Sequence, residues 1–230
     1  MKVLGISGSP RNESTAQLVQ AVLAATGLET EFVSLAGRNI GPCVACVGCV
    51  KDNVCVVKDD MAELRGKLVE ADAFVVGGAN YYSHLNGLTH SFLERWYQFR
   101  HQEGGAVVGK LAVAVGVGGM SGDVVADSIE TFMSYNLVET VAKVWGQGAA
   151  CCFTCGHGEE CKVGAIHMFF GPGTKITEDI FPRLSKQPEV LEQARLAGHL
   201  LGERLRNGHD RQKVAQGVMA KLGARFKEAG

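Results

Sequence analysis

Five short, mostly apolar runs separated by stretches of helical spacing constrain this chain more than any other feature. The runs are Val3 to Ile6, Thr30 to Leu35, Ala73 to Gly78, Leu111 to Val117 and Val141 to Trp145. Strands apolar on both sides belong in a parallel sheet covered on both faces, and the stretches between them supply the covering helices. From about Ser14, the residues Leu18, Val19, Val22 and Leu23 form one stripe, and Met61, Leu64 and Leu68 follow the acidic helix start Asp59-Asp60. Leu85, Leu88, Phe92, Trp96 and Phe99, three and four apart, predict one core helix, Val125 to Met133 another, and Pro188 to Arg206 a further one that stops at Asn207-Gly208. A last helix begins at Asp210, with Val214, Val218, Leu222 and Phe226 at every fourth position, so it either packs back on the body or meets another subunit. The expectation is an α/β fold with a doubly wound five-stranded parallel sheet in residues 1–207. Cysteine-rich loops fall at 41–56 and 150–173, and a helical extension at 208–230.

Charge and cysteine usage narrow the function. Lysine plus arginine number 23 against 24 acids, which leaves no basic field for nucleic acid or anionic lipid. No eighteen apolar residues run together and the apolar start is too short for a signal segment, so a cytoplasmic protein with no membrane partner is expected. In a reducing compartment, clustered cysteines speak for metal binding or redox chemistry rather than disulfides. All eight cysteines fall in the windows 43–55 and 151–161.

In a doubly wound sheet, ligands bind at the carboxyl ends of the strands. The turn after the first run reads Ser7-Gly8-Ser9-Pro10-Arg11-Asn12-Glu13-Ser14-Thr15. Hydroxyls, a guanidinium and the free N–H groups of a helix start suit a phosphate monoester. The same residues also suit a plain helix start, with Ser14 as its cap and Arg11 solvated. Glycines at 116, 118, 119 and 122 would let a planar ring lie on the backbone after the fourth strand.

Cys43, Cys46, Cys49 and Cys55 place four potential thiolates in one tight loop with two-residue gaps, the kind of spacing that surrounds an iron–sulfur cluster. A single zinc, which more often uses two pairs set further apart, and metal-free thiols are the alternatives. In the second window, Cys152, Cys155 and Cys161 repeat the gaps of Cys46, Cys49 and Cys55, with Cys151 or His157 as a fourth donor. A second cluster, a zinc staple and a metal-free loop all remain open there.

The phosphate loop resembles the Gly-Ser-Pro-Arg-x-x-Ser loop of the NAD(P)H-dependent FMN reductase superfamily. The frame Gly77-Gly78-Ala79-Asn80-Tyr81-Tyr82, followed by Phe92-Leu93-Glu94-Arg95, continues the likeness over roughly residues 1–122. The resemblance implies a flavodoxin-like fold and FMN held by Ser7, Ser9, Arg11, Ser14 and Thr15. Ala79, Asn80, Tyr81 and Tyr82 would lie at the flavin edge, and Gly118 and Gly119 by the ring. Within that superfamily, the first cysteine motif, followed by Asp59-Asp60-Met61, resembles that of the iron–sulfur flavoproteins of anaerobic prokaryotes. This implies one FMN and one four-iron (4Fe-4S) cluster per subunit in a dimer or tetramer. Electrons would pass between a ferredoxin-like or small-molecule donor and an acceptor, with no general acid or base. Direct NAD(P)H-dependent reduction of flavins or quinones is the alternative, and a zinc-stapled redox-sensing module is another outside enzymology.

Overall fold

A computed structural model describes residues 1–102 and 104–228; residues 229 and 230 of the expected extension lie outside it. The parallel strands are β1 (Lys2–Ser7), β2 (Glu29–Ser34), β3 (Ala73–Tyr81), β5 (Leu111–Gly118) and β6 (Glu139–Gln147), in the order β2-β1-β3-β5-β6. A two-residue strand, β4 (His84–Leu85), pairs antiparallel with the end of β3. This doubly wound order is the flavodoxin-like arrangement, and its loops at the carboxyl ends of β1, β3 and β5 converge on one edge.

Side-chain alternation sends each strand's residues to two separate cores. Leu4, Ile6, Phe74, Val76, Ala112 and Ala114 face one, with α2 (Met61–Glu70), α3 (Gly87–Glu94) and α4 (Asp123–Tyr135) over them. Val3, Ala73, Val75, Leu111, Val113 and Val115 face the other, under α1 (Ser14–Ala24) and α6 (Pro188–Arg206). Between β6 and α6 an irregular excursion carries a short helix, α5 (Ala165–Phe170). Glycines at 198 and 202 let α6 touch α1: a Cβ there would fall 2.3 Å from the Val22 carbonyl oxygen and 2.1 Å from that of Thr26. Trp96 anchors the first core, with edge-on rings of Phe74, Phe92 and Phe99 at centroid distances of 5.0, 5.9 and 6.0 Å.

One expected helix is revised. Leu85 belongs to β4 rather than to the aromatic helix, because Tyr82 and Ser83 adopt left-handed φ of 56° and 62° and reverse the chain in a tight hairpin. The helix proper ends at Glu94, and Arg95–Phe99 tightens into a 3-10 turn, whose period of three accommodates Trp96 and Phe99. The last helix, α7 (Arg211–Glu228), packs back on the body: Val218 is buried, and the Phe226 ring lies 6.3 Å from that of Tyr135 on α4.

Lys110, just before β5, is buried, with Nζ donating to the carbonyls of Leu68 and Val69 and lying 5.4 Å from the Phe74 ring centre. Burial, aided by the Arg211 charge, lowers its pKa to about 8. The unfolded chain holds this proton up to the ordinary lysine value, so between about pH 8 and 10.5 it binds more protons than the folded chain. Stability is therefore expected to rise across that window, by up to about 3 kcal/mol. Denaturant titrations at successive pH values check this, and Lys110→Met should abolish the rise.

Candidate functional site

The loop after β1 is drawn under β3 by a buried amide. Asn86, immediately before α3, donates to the Gly8 carbonyl at 2.9 Å, and its Oδ1 accepts from the Ala79 N–H at 3.0 Å and the Thr89 hydroxyl at 2.7 Å. Asparagine in that position ordinarily caps the helix. Here it makes no cap bond and instead ties the loop after β1 to the β3 exit. Gly8 is required by the closeness, since a Cβ would meet the Thr89 hydroxyl oxygen at 2.0 Å.

This junction forms a cleft of about 650 Å³, a size that takes a nucleotide-sized ligand. Its wall brings together Ser9, Arg11, Ser14, Thr15, Ala79, Asn80, Tyr81, Tyr82, Gly118 and Gly119. Ser7 is not in the wall: it sits fully buried at the end of β1, its hydroxyl without a partner. Ser14 does not cap α1 but begins it, and Glu13 in the cap position makes no side-chain cap bond, so the first amides of the helix remain available to an anion. Arg11 Nη2 donates to the Ala149 carbonyl at 2.6 Å, while Nη1, 3.4 Å from the Glu13 carboxylate, makes no hydrogen bond. An unsatisfied guanidinium nitrogen, hydroxyls and an open helix start on one loop fit a phosphate monoester. Opposite, Asn80 Nδ2 donates to the Ser121 carbonyl at 2.7 Å, and a Cβ on Gly118 would lie 2.1 Å from that same oxygen. Tyr82, at the hairpin tip, is 97% exposed.

Cys43, Cys46, Cys49 and Cys55 are not in this wall, and Cys43 instead lines a separate hollow of about 460 Å³ with Val47, Glu94, Tyr97, Phe132 and Tyr135, none of which belongs to the larger cleft. Ala45, Val47 and Asn53 hold left-handed φ of 51°, 51° and 58°. For a β-branched residue such as Val47 this is a strained conformation, and it curls the chain between successive cysteines. Burial raises the Cys49 thiol pKa, and the nearby sulfurs of Cys55, Cys43 and Cys46 push it the same way.

Three residues spaced by three reach this loop from the 3-10 turn and its end. Arg95 donates to Cys55 Sγ at 3.2 Å, Gln98 Oε1 accepts from the Cys55 N–H at 3.1 Å, and His101 Nε2 lies 3.2 Å from Cys49 Sγ. Arg95 is also the centre of a buried clamp. Its side chain is 1% exposed and pairs with Asp59, 6% exposed, at 2.5 Å. It also donates to the Gly41 carbonyl, whose own N–H donates to Asp59. Burial opposes the charge on Asp59, but Arg95 with the amides of Gly41 and Met61 outweighs it and holds the carboxyl below its usual range. Among the described residues, no three His, Cys, Asp or Glu side chains form a group able to hold a single metal ion. The donor chemistry of the first loop fits an iron–sulfur cluster: four thiols on a curled chain, with a guanidinium on one sulfur to offset anionic charge. Asn86, Gln98, His101 and the Ala149 carbonyl escaped the sequence reading. Only the helix-start position of Asn86 and the period of three in Arg95, Gln98 and His101 were there to signal them.

Removing either tie should register as stability. Asn86→Ala is expected to cost about 2–4 kcal/mol in denaturant unfolding, since it strands the Gly8 carbonyl and the Ala79 N–H. Arg95→Met should cost about 3–5 kcal/mol by leaving Asp59 buried without a partner, and Arg95→Met/Asp59→Leu should recover much of that loss.

Comparison with known proteins places these features in a family. An iron–sulfur flavoprotein of Methanocaldococcus jannaschii is 38% identical over 117 residues, 46% of this chain and 61% of that protein. An iron–sulfur flavoprotein of Methanosarcina thermophila is 32% identical over 123 residues, 52% of this chain and 64% of its own length. The matches therefore span less than two thirds of these relatives. Among solved structures, RosB, captured with a formylriboflavin phosphate intermediate, superposes with a TM-score of 0.62 at 15% identity, over 100% of this chain and 88% of its own. A flavone reductase superposes with a TM-score of 0.55 at 17% identity, over 89% of this chain and 62% of that one; both likenesses concern the fold. The family model described as NADPH-dependent FMN reductase matches residues 1–146, more than half of the sequence, and the chain belongs to that family.

Proposed function

We propose that the protein is an electron-transfer iron–sulfur flavoprotein, with FMN in the cleft and a four-iron cluster on Cys43, Cys46, Cys49 and Cys55. The observation that carries this reading is the convergence of the phosphate-loop donors, the β3–β4 hairpin and the Gly118–Gly119 turn on one cleft. The relatives' names and the thiol loop support the cluster. Ser9, Arg11, Ser14 and Thr15 would hold the phosphate, and Ala79 to Tyr82 the ring edge. FMN supplies two-electron storage with one-electron release, and the protein binds, orients and insulates it. The donor is a low-potential protein or a small molecule.

Direct oxidation of NAD(P)H is the second reading, favoured by the description of the matching family. A cytoplasmic setting is consistent with eight unpaired cysteines, and no helix among the described residues is long and apolar enough to cross a membrane. A homo-oligomer, dimer or tetramer, belongs to the same reading, although the stripe of α7 that suggested it packs on the body.

The phosphate site is tested by Arg11→Ala/Ser14→Ala, which should weaken FMN about 100-fold, as expected for two lost anion contacts. Fluorescence titration of the apoprotein measures it. Unchanged affinity in a folded variant would remove the assignment.

A further inference from the structure

The excursion between β6 and α6 places two of its four cysteines, Cys151 and Cys152, against the larger cleft. Ala150, Cys151, Cys152, Val163, Ala165, Met168 and Phe169 complete the wall begun by the phosphate loop, and Arg11 reaches across to the Ala149 carbonyl. This segment lies beyond residue 146, past the family match.

The excursion is a built structure. The Phe153 ring packs 6.2 Å from Phe170 and 5.4 Å from Phe181, and Ile166 is fully buried. His167 Nε2 donates to the Glu159 carbonyl at 2.7 Å, and Glu159 accepts from the Ile176 N–H at 2.8 Å. The backbone also closes tightly around the sulfurs. A Cβ on Gly158 would fall 1.9 Å from the Cys152 carbonyl oxygen, and one on Gly164 would lie 3.2 Å from Cys161 Sγ. Cys152 Sγ accepts the Ala165 N–H at 3.3 Å and Cys155 Sγ the His157 N–H at 3.4 Å. A thiolate bound to iron keeps that acceptor role.

We infer that this loop holds a second iron–sulfur cluster, ligated by Cys152, Cys155 and Cys161 with Cys151 or His157 as the fourth donor, beside the flavin cleft of the same chain. Cys151 and Cys155 are exposed and Cys152 and Cys161 half-buried, which leaves the side chains room to turn onto a larger cluster. A dithiol pair would use two of the four thiols and leave the repeated spacing without a role. The exposed apolar rim of Val163, 87% exposed, and Met168, 70% exposed, stands over the same wall.

The inference rests on the reading of the chain as an iron-loaded flavoprotein, and the test separates the two. The full chain, produced and purified without oxygen, is analysed for iron, acid-labile sulfide, zinc and FMN, with EPR after dithionite reduction. Wild type is compared with Cys43→Ala/Cys46→Ala and Cys152→Ala/Cys155→Ala. Wild type should carry about twice the iron of either variant, with FMN level, and Cys43→Ala/Cys46→Ala should retain iron and a reduced-cluster signal. Total loss of iron in Cys43→Ala/Cys46→Ala, or none in Cys152→Ala/Cys155→Ala, overturns the second cluster. So does zinc that disappears with Cys152 and Cys155, or a Cys152–Cys155 disulfide without iron. If Cys152→Ala/Cys155→Ala fails to fold, as judged by FMN content and circular dichroism, the iron retained in Cys43→Ala/Cys46→Ala decides. Full iron in that variant would count against the first site alone.

Discussion

A parallel sheet covered on both faces has no room for chemistry in its body. Its central strands β1, β3 and β5 are apolar on both sides and sealed by two separate cores, and polar side chains appear at the strand ends and along the edge strands β2 and β6. The candidate site follows from that constraint: the loop of residues 9–15 after β1, the hairpin after β3, the glycine turn after β5 and the cysteine excursion after β6 all lie at the carboxyl ends of their strands. Four loops distant in sequence share one cleft because the strands that carry them are neighbours in the sheet.

Loops at a sheet edge are mobile unless something fixes them, and here fixation is polar and buried. Asn86 gives up its ordinary capping role to join Gly8 to Ala79. Arg95 and Asp59 perform the corresponding task for the first cysteine loop, and Gly41, Met61 and Cys55 share their remaining valences. A buried ion pair is a poor source of net stability, since desolvation offsets much of its attraction. It is an exacting positioner, because any other arrangement leaves a charge unmatched. The strain at Ala45 and Val47 fits the same picture, with a curl held by surrounding contacts rather than by local preference.

Much of this was legible before the fold was known. The five strands follow from apolar runs, and α1, α2, α4 and α6 from their stripes. The aromatic segment misled because Leu85, in a strand of only two residues, falls by chance at helical spacing from Leu88, and because the 3-10 turn keeps Trp96 and Phe99 three apart as an α-helix also would. The left-handed Tyr82 and Ser83 that decide the matter carry no glycine or asparagine to announce them. Ser7 looked like part of the phosphate loop from its place beside Gly8, yet it is buried at the strand end and absent from the cleft wall.

Local order along the chain, then, was sufficient for the kind of sheet, for the covering helices and for the presence of two thiol loops, because periodicity, turn chemistry and cysteine spacing act over a few residues. It could not say which loops meet. That the excursion at 150–173 closes the cleft opened by residues 9–15, while Cys43 opens on another hollow, depends on strand order and on the ties made by Asn86 and Arg95. Contacts between residues many tens of positions apart leave no mark on the sequence around either partner, so only the folded chain could bring them together.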